Sequence, residues 1–346
     1  MTPARAPLDL VAAVQSGDRR ALARLITHVE NRAPGALDAL ARLHARGGQA
    51  LIVGVTGAPG TGKSTLVNAL ALALRQRGQT VGIVAVDPTS PFSGGAVLGD
   101  RVRMTDLAGD GGVFIRSMAS RGSLGGLAAA TGDVVRVLDA AGFAVVLIET
   151  VGAGQSEVDI ARMAHTVIVV EAPGLGDDVQ AIKAGILEIA DILVVNKADR
   201  PGAQSTVRAL RAMLELGHRL RNAGHHGAGL LPATTNSAPT PDSWSVPVIE
   251  TVATEHTGIA DVLAALDRHR AHLLSSGEIA ERERLRAEAE LLARLREALL
   301  ARLLAAHDPA TIAEVVRQVV ARELDPASAV RALVAAACGD ERQALP

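Results

Sequence analysis

Seven short runs rich in Val and Ile recur along this chain: LIVGV, TVGIVAV, VFI, AVVLIE, TVIVVEA, ILVVN and VPVIE. They are continuously apolar instead of alternating, as expected of strands covered on both faces. Ala- and Leu-rich segments long enough for crossover helices separate most of them. Parallel strands need such crossovers, so the pattern predicts an α/β fold: a doubly wound, mostly parallel sheet over about residues 46–275. Residues 1–45 read as a helical extension, interrupted at Ser16-Gly17-Asp18. From residue 276 to 346 the character changes to a long helix dense in Glu, Arg, Ala and Leu, followed by a second helical segment from Pro309 with Asp308 as its cap. Leu291, Leu295, Leu299 and Leu303 recur at helix-packing steps. This arm either folds back on the sheet domain or builds a homodimer, and the expectation is the homodimer.

Composition narrows the class of function. The formal net charge of −2 argues against a nucleic-acid partner. A single cysteine, Cys338, excludes a disulfide framework and any multi-cysteine metal site. No apolar run is long enough to cross a bilayer, and the N-terminus lacks a signal pattern, so a cytoplasmic location without membrane contact is expected. Gly224 to Pro241 reads as a surface loop.

The first apolar run leads into Gly57-Ala58-Pro59-Gly60-Thr61-Gly62-Lys63-Ser64-Thr65 and then into an apolar helix. This is G-x-x-x-x-G-K-S in the strand–loop–helix context it requires. Glycines let backbone N–H groups turn in around phosphate oxygens, and the helix N-terminus adds its positive end. Lys63 is expected to reach the β- and γ-phosphates and Ser64 to ligate Mg²⁺. Downstream, ILVVN ends in Asn196-Lys197-Ala198-Asp199, an N-K-x-D pattern. A carboxylate at Asp199 accepts from the two N–H donors of the guanine edge, while the Lys197 stem covers the base. Adenine lacks the exocyclic amine there, and sites built on such bonds discriminate by roughly 10⁴. Val252-Ala253-Thr254 stand where GTPases often complete the base pocket with Ser-Ala. The expected nucleotides are therefore GTP and GDP.

The stretch VLIETVGAGQSE places Glu149 at the end of a buried strand, where many nucleotide switches carry Asp. A Glu can hold Mg²⁺ through a bound water, since that ion keeps several. Gly152 can offer its N–H to a γ-phosphate and move when the phosphate leaves. Gln155 is the candidate water-positioning residue, at an offset that differs from the familiar one, and slow unassisted hydrolysis is expected. Asp87 ends the second strand and Asp100 opens the next helix, with Gly94, Gly95 and Gly99 between them. The two carboxylates suit a Mg²⁺-sensing switch, or serve as turn and cap residues.

Together GAPGTGKST, VDPTSPFSGGAVLGDRVRM, FIRSMASRGSLGGLA, VLIETVGAGQSE and APGLGDDVQAIKAGILEIADILVVNKAD resemble the MeaB/MMAA/ArgK family of P-loop metallochaperone GTPases over about residues 8–275. The wider group is named for a glutamate in its third guanine-nucleotide motif, and Glu149 matches it. The resemblance implies a GTP-dependent chaperone of adenosylcobalamin-dependent acyl-CoA mutases. Such a chaperone gates cofactor delivery from an adenosyltransferase and protects or reactivates the mutase, with no tightly held cobalamin of its own. It also implies that Asp87, Asp100 and Glu149 serve Mg²⁺ with Ser64. Gly174 to Lys183, with Asp177, Asp178 and Lys183, would then form an extra switch toward the mutase. Read without the resemblance, PGLGDDVQ is a strand-end loop with Asp177 as helix cap. Two other readings remain. One is a nickel-insertion GTPase of the urease or hydrogenase type, though those carry Cys/His motifs and this chain has no Cys-x-x-Cys. The other is a nucleotide-binding scaffold.

Overall fold

The structure, a computed structural model, describes residues 6–45, 47–88, 105–107, 109–120, 126–150, 163–174, 188–222 and 244–338. Asp100, Gly152, Gln155, Asp177, Asp178 and Lys183 lie outside them, as does the side chain of Asp87.

The seven apolar runs form seven strands: β1 (Leu51–Thr56), β2 (Val81–Pro88), β3 (Val113–Ser120), β4 (Val145–Thr150), β5 (Thr166–Glu171), β6 (Ile192–Asn196) and β7 (Val248–Thr251). They make one sheet in the order β3-β2-β4-β1-β5-β6-β7, and every neighbouring pair is parallel. Residues on β1, β4, β5 and β6 are buried throughout, which explains why these runs are unbroken by polar residues. β3 is longer than its three-residue apolar run suggests. It is an edge strand, half-exposed at Ile115, Arg116 and Ser117, so polar residues interleave there without cost.

Helices cover both faces. α1 (Pro7–Gln15), α2 (Arg19–Glu30) and α3 (Ala36–His44) are the N-terminal extension, and α4 (Lys63–Gln76) follows β1. The extension breaks at Ser16-Gly17 as the sequence suggests, and Asp18 caps α2 by accepting from the N–H groups of Arg20 and Ala21. α5 (Gly126–Ala140) precedes β4, α6 (Ala203–Asn222) follows β6, and α7 (Ile259–Ser276) follows β7. One core joins Leu66, Leu70 and Leu74 of α4 and Val262 and Leu266 of α7 to Val53, Val55 and Leu147. The other joins Leu25 and Ile26 of α2 and Val134 and Leu138 of α5 to Ile52, Val146 and Ile148. Odd and even positions of each strand thus serve opposite layers, with α4 and α7 on one face and α2 and α5 on the other.

The chain forms two compact units, Met1–Arg286 and Ala287–Pro346. α8 (Glu278–Ala305) begins in the first, where Arg282 bonds the backbone oxygen of His165 and the carboxylate of Asp191. In the second unit, α9 (Pro309–Val320) is capped by Asp308, which accepts from Ala310 N at 2.9 Å. α10 (Pro326–Cys338) completes it. No residue of α8 is buried, and Leu291, Leu295 and Leu299 are among its exposed side chains. Among the described residues no helix is long and apolar enough to cross a membrane.

Candidate functional site

In open parallel sheets the crevice beyond the carboxyl ends of the strands takes the ligand. Here the loop from Gly57 to Gly62 leaves β1 at that edge and turns into α4. Gly57 has φ 138°, and a Cβ there would collide with the carbonyl oxygen of Val170 in β5. Gly62, with φ 90°, caps α4, and a Cβ on it would stand 2.5 Å from Asn196 Nδ2. These two glycines permit a close approach that no side chain could share. Pro59 and Gly60 are exposed at the tip, while Thr61 is buried and donates its hydroxyl to Ala58 O at 3.0 Å.

Lys63 and Ser64 occupy the first turn of α4 and both are buried. Lys63 Nζ donates to Gly57 O at 2.8 Å and Ala58 O at 3.0 Å, which holds the ammonium inside the loop's curve. Thr65, half-buried, follows. Ser64 Oγ donates to Glu149 Oε1 at 2.5 Å, across 85 residues of sequence. This contact exists because β4 lies beside β1, with Val55 opposite Glu149. Glu149 is only 2% exposed and points to the α4 layer. Asp87 is placed in β2 two residues beyond Ala85, the residue paired with Glu149. A serine hydroxyl and a carboxylate are hard oxygen donors, the chemistry Mg²⁺ prefers, so these residues fit that ion.

The base motif lies on the other side of the loop. Asn196, at the end of β6, is buried and satisfied on both sides of its amide. Nδ2 donates to Thr61 O at 2.9 Å, and Oδ1 accepts from Thr251 Oγ1 and Ala253 N, both at 3.1 Å. One amide thus ties the phosphate loop to the segment after β7. Lys197 takes a left-handed conformation, φ 59°, and its Nζ reaches Gly60 O at 2.6 Å. Ala198 N donates to Thr251 O at 3.0 Å, and Asp199 follows on the surface. Val252 N pairs with Thr257 O, Ala253 is buried at the start of a single 3₁₀ turn, and Thr254 is exposed.

Sequence reasoning passed over Thr251, whose hydroxyl and carbonyl hold Asn196 and Ala198. Its signal was a polar residue ending an apolar strand directly before Val252-Ala253. Neither did it single out Asp191, His269 and Arg282. No motif links residues so far apart in sequence.

A family model described as methylmalonyl Co-A mutase-associated GTPase MeaB matches residues 22–308. A relative from Pyrococcus abyssi, which carries a provisional GTPase name, is 46% identical over 322 residues, covering 93% of this chain and 94% of its own. GTPase ArgK of Escherichia coli strain K12 is 36% identical over 276 residues, 78% of each chain. A crystal structure of a protein named LAO/AO transport system kinase superposes with a TM-score of 0.64 at 27% identity, covering 95% of this chain and 96% of the other. With the phosphate loop and its facing residues arranged as described, the chain belongs to the MeaB family and is a P-loop GTPase.

Proposed function

We propose that this protein is a GTP-dependent chaperone of a cobalamin-dependent acyl-CoA mutase, timing adenosylcobalamin delivery and protecting or reactivating the loaded enzyme. The observation that carries this reading is the match of residues 22–308 to a family described as mutase-associated. A further relative, the mitochondrial methylmalonic aciduria type A homolog of Caenorhabditis elegans, supports it at 38% identity over 55% of this chain.

In this reading GTP lies along the carboxyl edge of the sheet. The N–H groups of Gly60 to Lys63 hold the phosphates, Lys63 offsets charge that moves toward the leaving oxygens, and Asp199 selects guanine. Ser64 and Glu149, with Asp87 and Asp100, serve Mg²⁺, which when bound neutralises charge on the β- and γ-phosphates. Water attacks the γ-phosphorus, the bond to the β–γ bridging oxygen breaks, and GDP and phosphate leave. Gly152 and Gln155 are the candidates for sensing the γ-phosphate and placing the water. The segment around Asp177, Asp178 and Lys183 is the candidate contact with the mutase, and the exposed leucines of α8 are the candidate homodimer seam. A cytoplasmic location fits this role.

The test is GTP turnover with and without a cobalamin-dependent acyl-CoA mutase. The reading expects stimulation by the mutase, and loss of most of it in Asp178→Ala and Lys183→Ala with GDP affinity retained. Turnover indifferent to every such mutase, methylmalonyl-, isobutyryl- and 2-hydroxyisobutyryl-CoA mutases included, refutes it.

A further inference from the structure

Thr56 and Thr150 are the last residues of β1 and β4. The register pairs Val55 with Glu149, so the two threonines form the next rung. Thr150 Oγ1 donates to Thr56 Oγ1 at 3.2 Å, and the residues are 1% and 0% exposed. Earlier residues on the same layer of these strands are Ile52, Val146 and Ile148, all apolar. A buried hydroxyl is costly unless it is bonded, and a valine would fill the same space without that demand. The hydroxyls occur at the one rung where both strands end. On one side of it begins Gly57 and the phosphate loop. On the other stands Glu149, whose side chain turns to the opposite layer and meets Ser64.

We propose that Thr150 is a positioning residue for Glu149, acting through its hydroxyl bond to Thr56. This rests on the reading of Glu149 as a carboxylate that serves Mg²⁺. The backbone register between β1 and β4 runs to Val55 and Glu149, one rung earlier, so the hydroxyl pair carries the tie between the two strands one residue further, to the root of the phosphate loop. A glutamate has one more rotatable bond than an aspartate, so its carboxylate is held in place only if its backbone and its partner Ser64 are both fixed. Mg²⁺ demands near-ideal octahedral oxygen geometry. A shift of the β4 end relative to α4 therefore falls first on Mg²⁺ dependence and turnover, not on the grip of the loop on a diphosphate.

The experiment uses the full-length chain with Thr150→Val, Thr150→Ser, Thr56→Val and the double valine variant. Thr150→Val should raise the Mg²⁺ concentration for half-maximal GTP turnover by about three- to tenfold, the worth of one buried hydrogen bond, and lower kcat by a similar factor. KM for GTP and the affinity for GDP measured without Mg²⁺ should stay within about twofold, since neither uses this bond. Thr150→Ser keeps the hydroxyl and should restore both quantities. The double variant should be no worse than the single ones, because they remove the same bond. A folded Thr150→Val protein with wild-type Mg²⁺ dependence and kcat overturns the assignment, and so do effects of the two valines that add. Should Thr150→Val fail to fold, Thr56→Val removes the acceptor from the other strand and is judged by the same two outcomes. Wild-type turnover that ignores Mg²⁺ refutes the reading of Glu149 itself. Mg²⁺-dependent wild type with an indifferent Thr150→Val refutes the role of Thr150 alone.

Discussion

Arg282 donates Nη1 and Nη2 to the two carboxylate oxygens of Asp191, at 2.9 and 2.8 Å. The planar fork matches the carboxylate, and Arg282 Nη1 also reaches His165 O at 2.9 Å. Asp191 Oδ2 accepts Val167 N at 2.8 Å, and His269 Nε2 stands 3.3 Å from Oδ1. Burial alone would raise the Asp191 carboxyl, and the bonds from His269 and Arg282 more than offset it, leaving it below the ordinary carboxylate range. The start of α8 is thereby fastened to the amino edge of the sheet, opposite the nucleotide crevice.

Removing Arg282 leaves a carboxylate that is nine-tenths buried short of its main counter-charge. Arg282→Met should cost roughly 1–3 kcal/mol of stability, and Arg282→Lys should recover only part of it because an ammonium cannot make the fork. Chemical denaturation measures both. The fluorescence of Trp244, the single tryptophan, reports the same spot, since its Nε1 donates to Asp191 O at 2.8 Å.

His165 sets an acid limit. Burial, followed by the positive field of Arg286, pushes its imidazole down from 6.5 to about 4, and its Nδ1 accepts Ile52 N at 3.1 Å. Between those two values the unfolded chain binds a proton that the folded one refuses. Stability is therefore full above about pH 6.5 and falls as pH drops toward about 4, by about 3 kcal/mol in all. His165→Gln can still accept from Ile52 and does not titrate. Its stability should lack this part of the slope when melting is followed from pH 7 to 4.

Two glycines of the phosphate loop differ in tolerance. Gly57→Ala sets a Cβ against the backbone oxygen of Val170, which cannot withdraw without parting β1 from β5. It should cost roughly 1–3 kcal/mol and abolish GDP binding. Gly60 has φ 83° with open space around it. Gly60→Ala should lose about 1 kcal/mol to the left-handed conformation alone and remain folded. Calorimetry with GDP and thermal melts separate the two.

In the proposed function guanine is selected by Asp199, which follows Ala198, whose N–H donates to Thr251 O. Asp199→Asn should weaken GDP and favour xanthosine diphosphate, because an amide can donate to the oxygen that replaces the guanine amine. Equal affinities of the wild type for GDP and ADP would sink this assignment.

The sequence by itself determined what is local. Unbroken Val and Ile runs marked the central strands, because burial on both faces acts on each residue in turn. The phosphate loop showed in nine consecutive residues, because a tight turn into a helix N-terminus needs glycine at fixed offsets. Asp308 showed as a cap because a cap bonds N–H groups two or three residues on. The tertiary structure decided which distant side chains meet. Ser64 reaches Glu149, Asn196 reaches Thr61, and Thr56 reaches Thr150 only because β1 is inserted between β4 and β5, an order no single run records. The edge position of β3 likewise follows from strand order, so its polar half was not legible as strand. Arg282 and Asp191 lie 91 residues apart, and their bond depends on how α7 crosses the sheet before Gly277 turns the chain into α8. Patterns along a chain encode which face of an element is buried. The partner across that face is set by topology and register, where the free energy belongs to pairs and not to single residues.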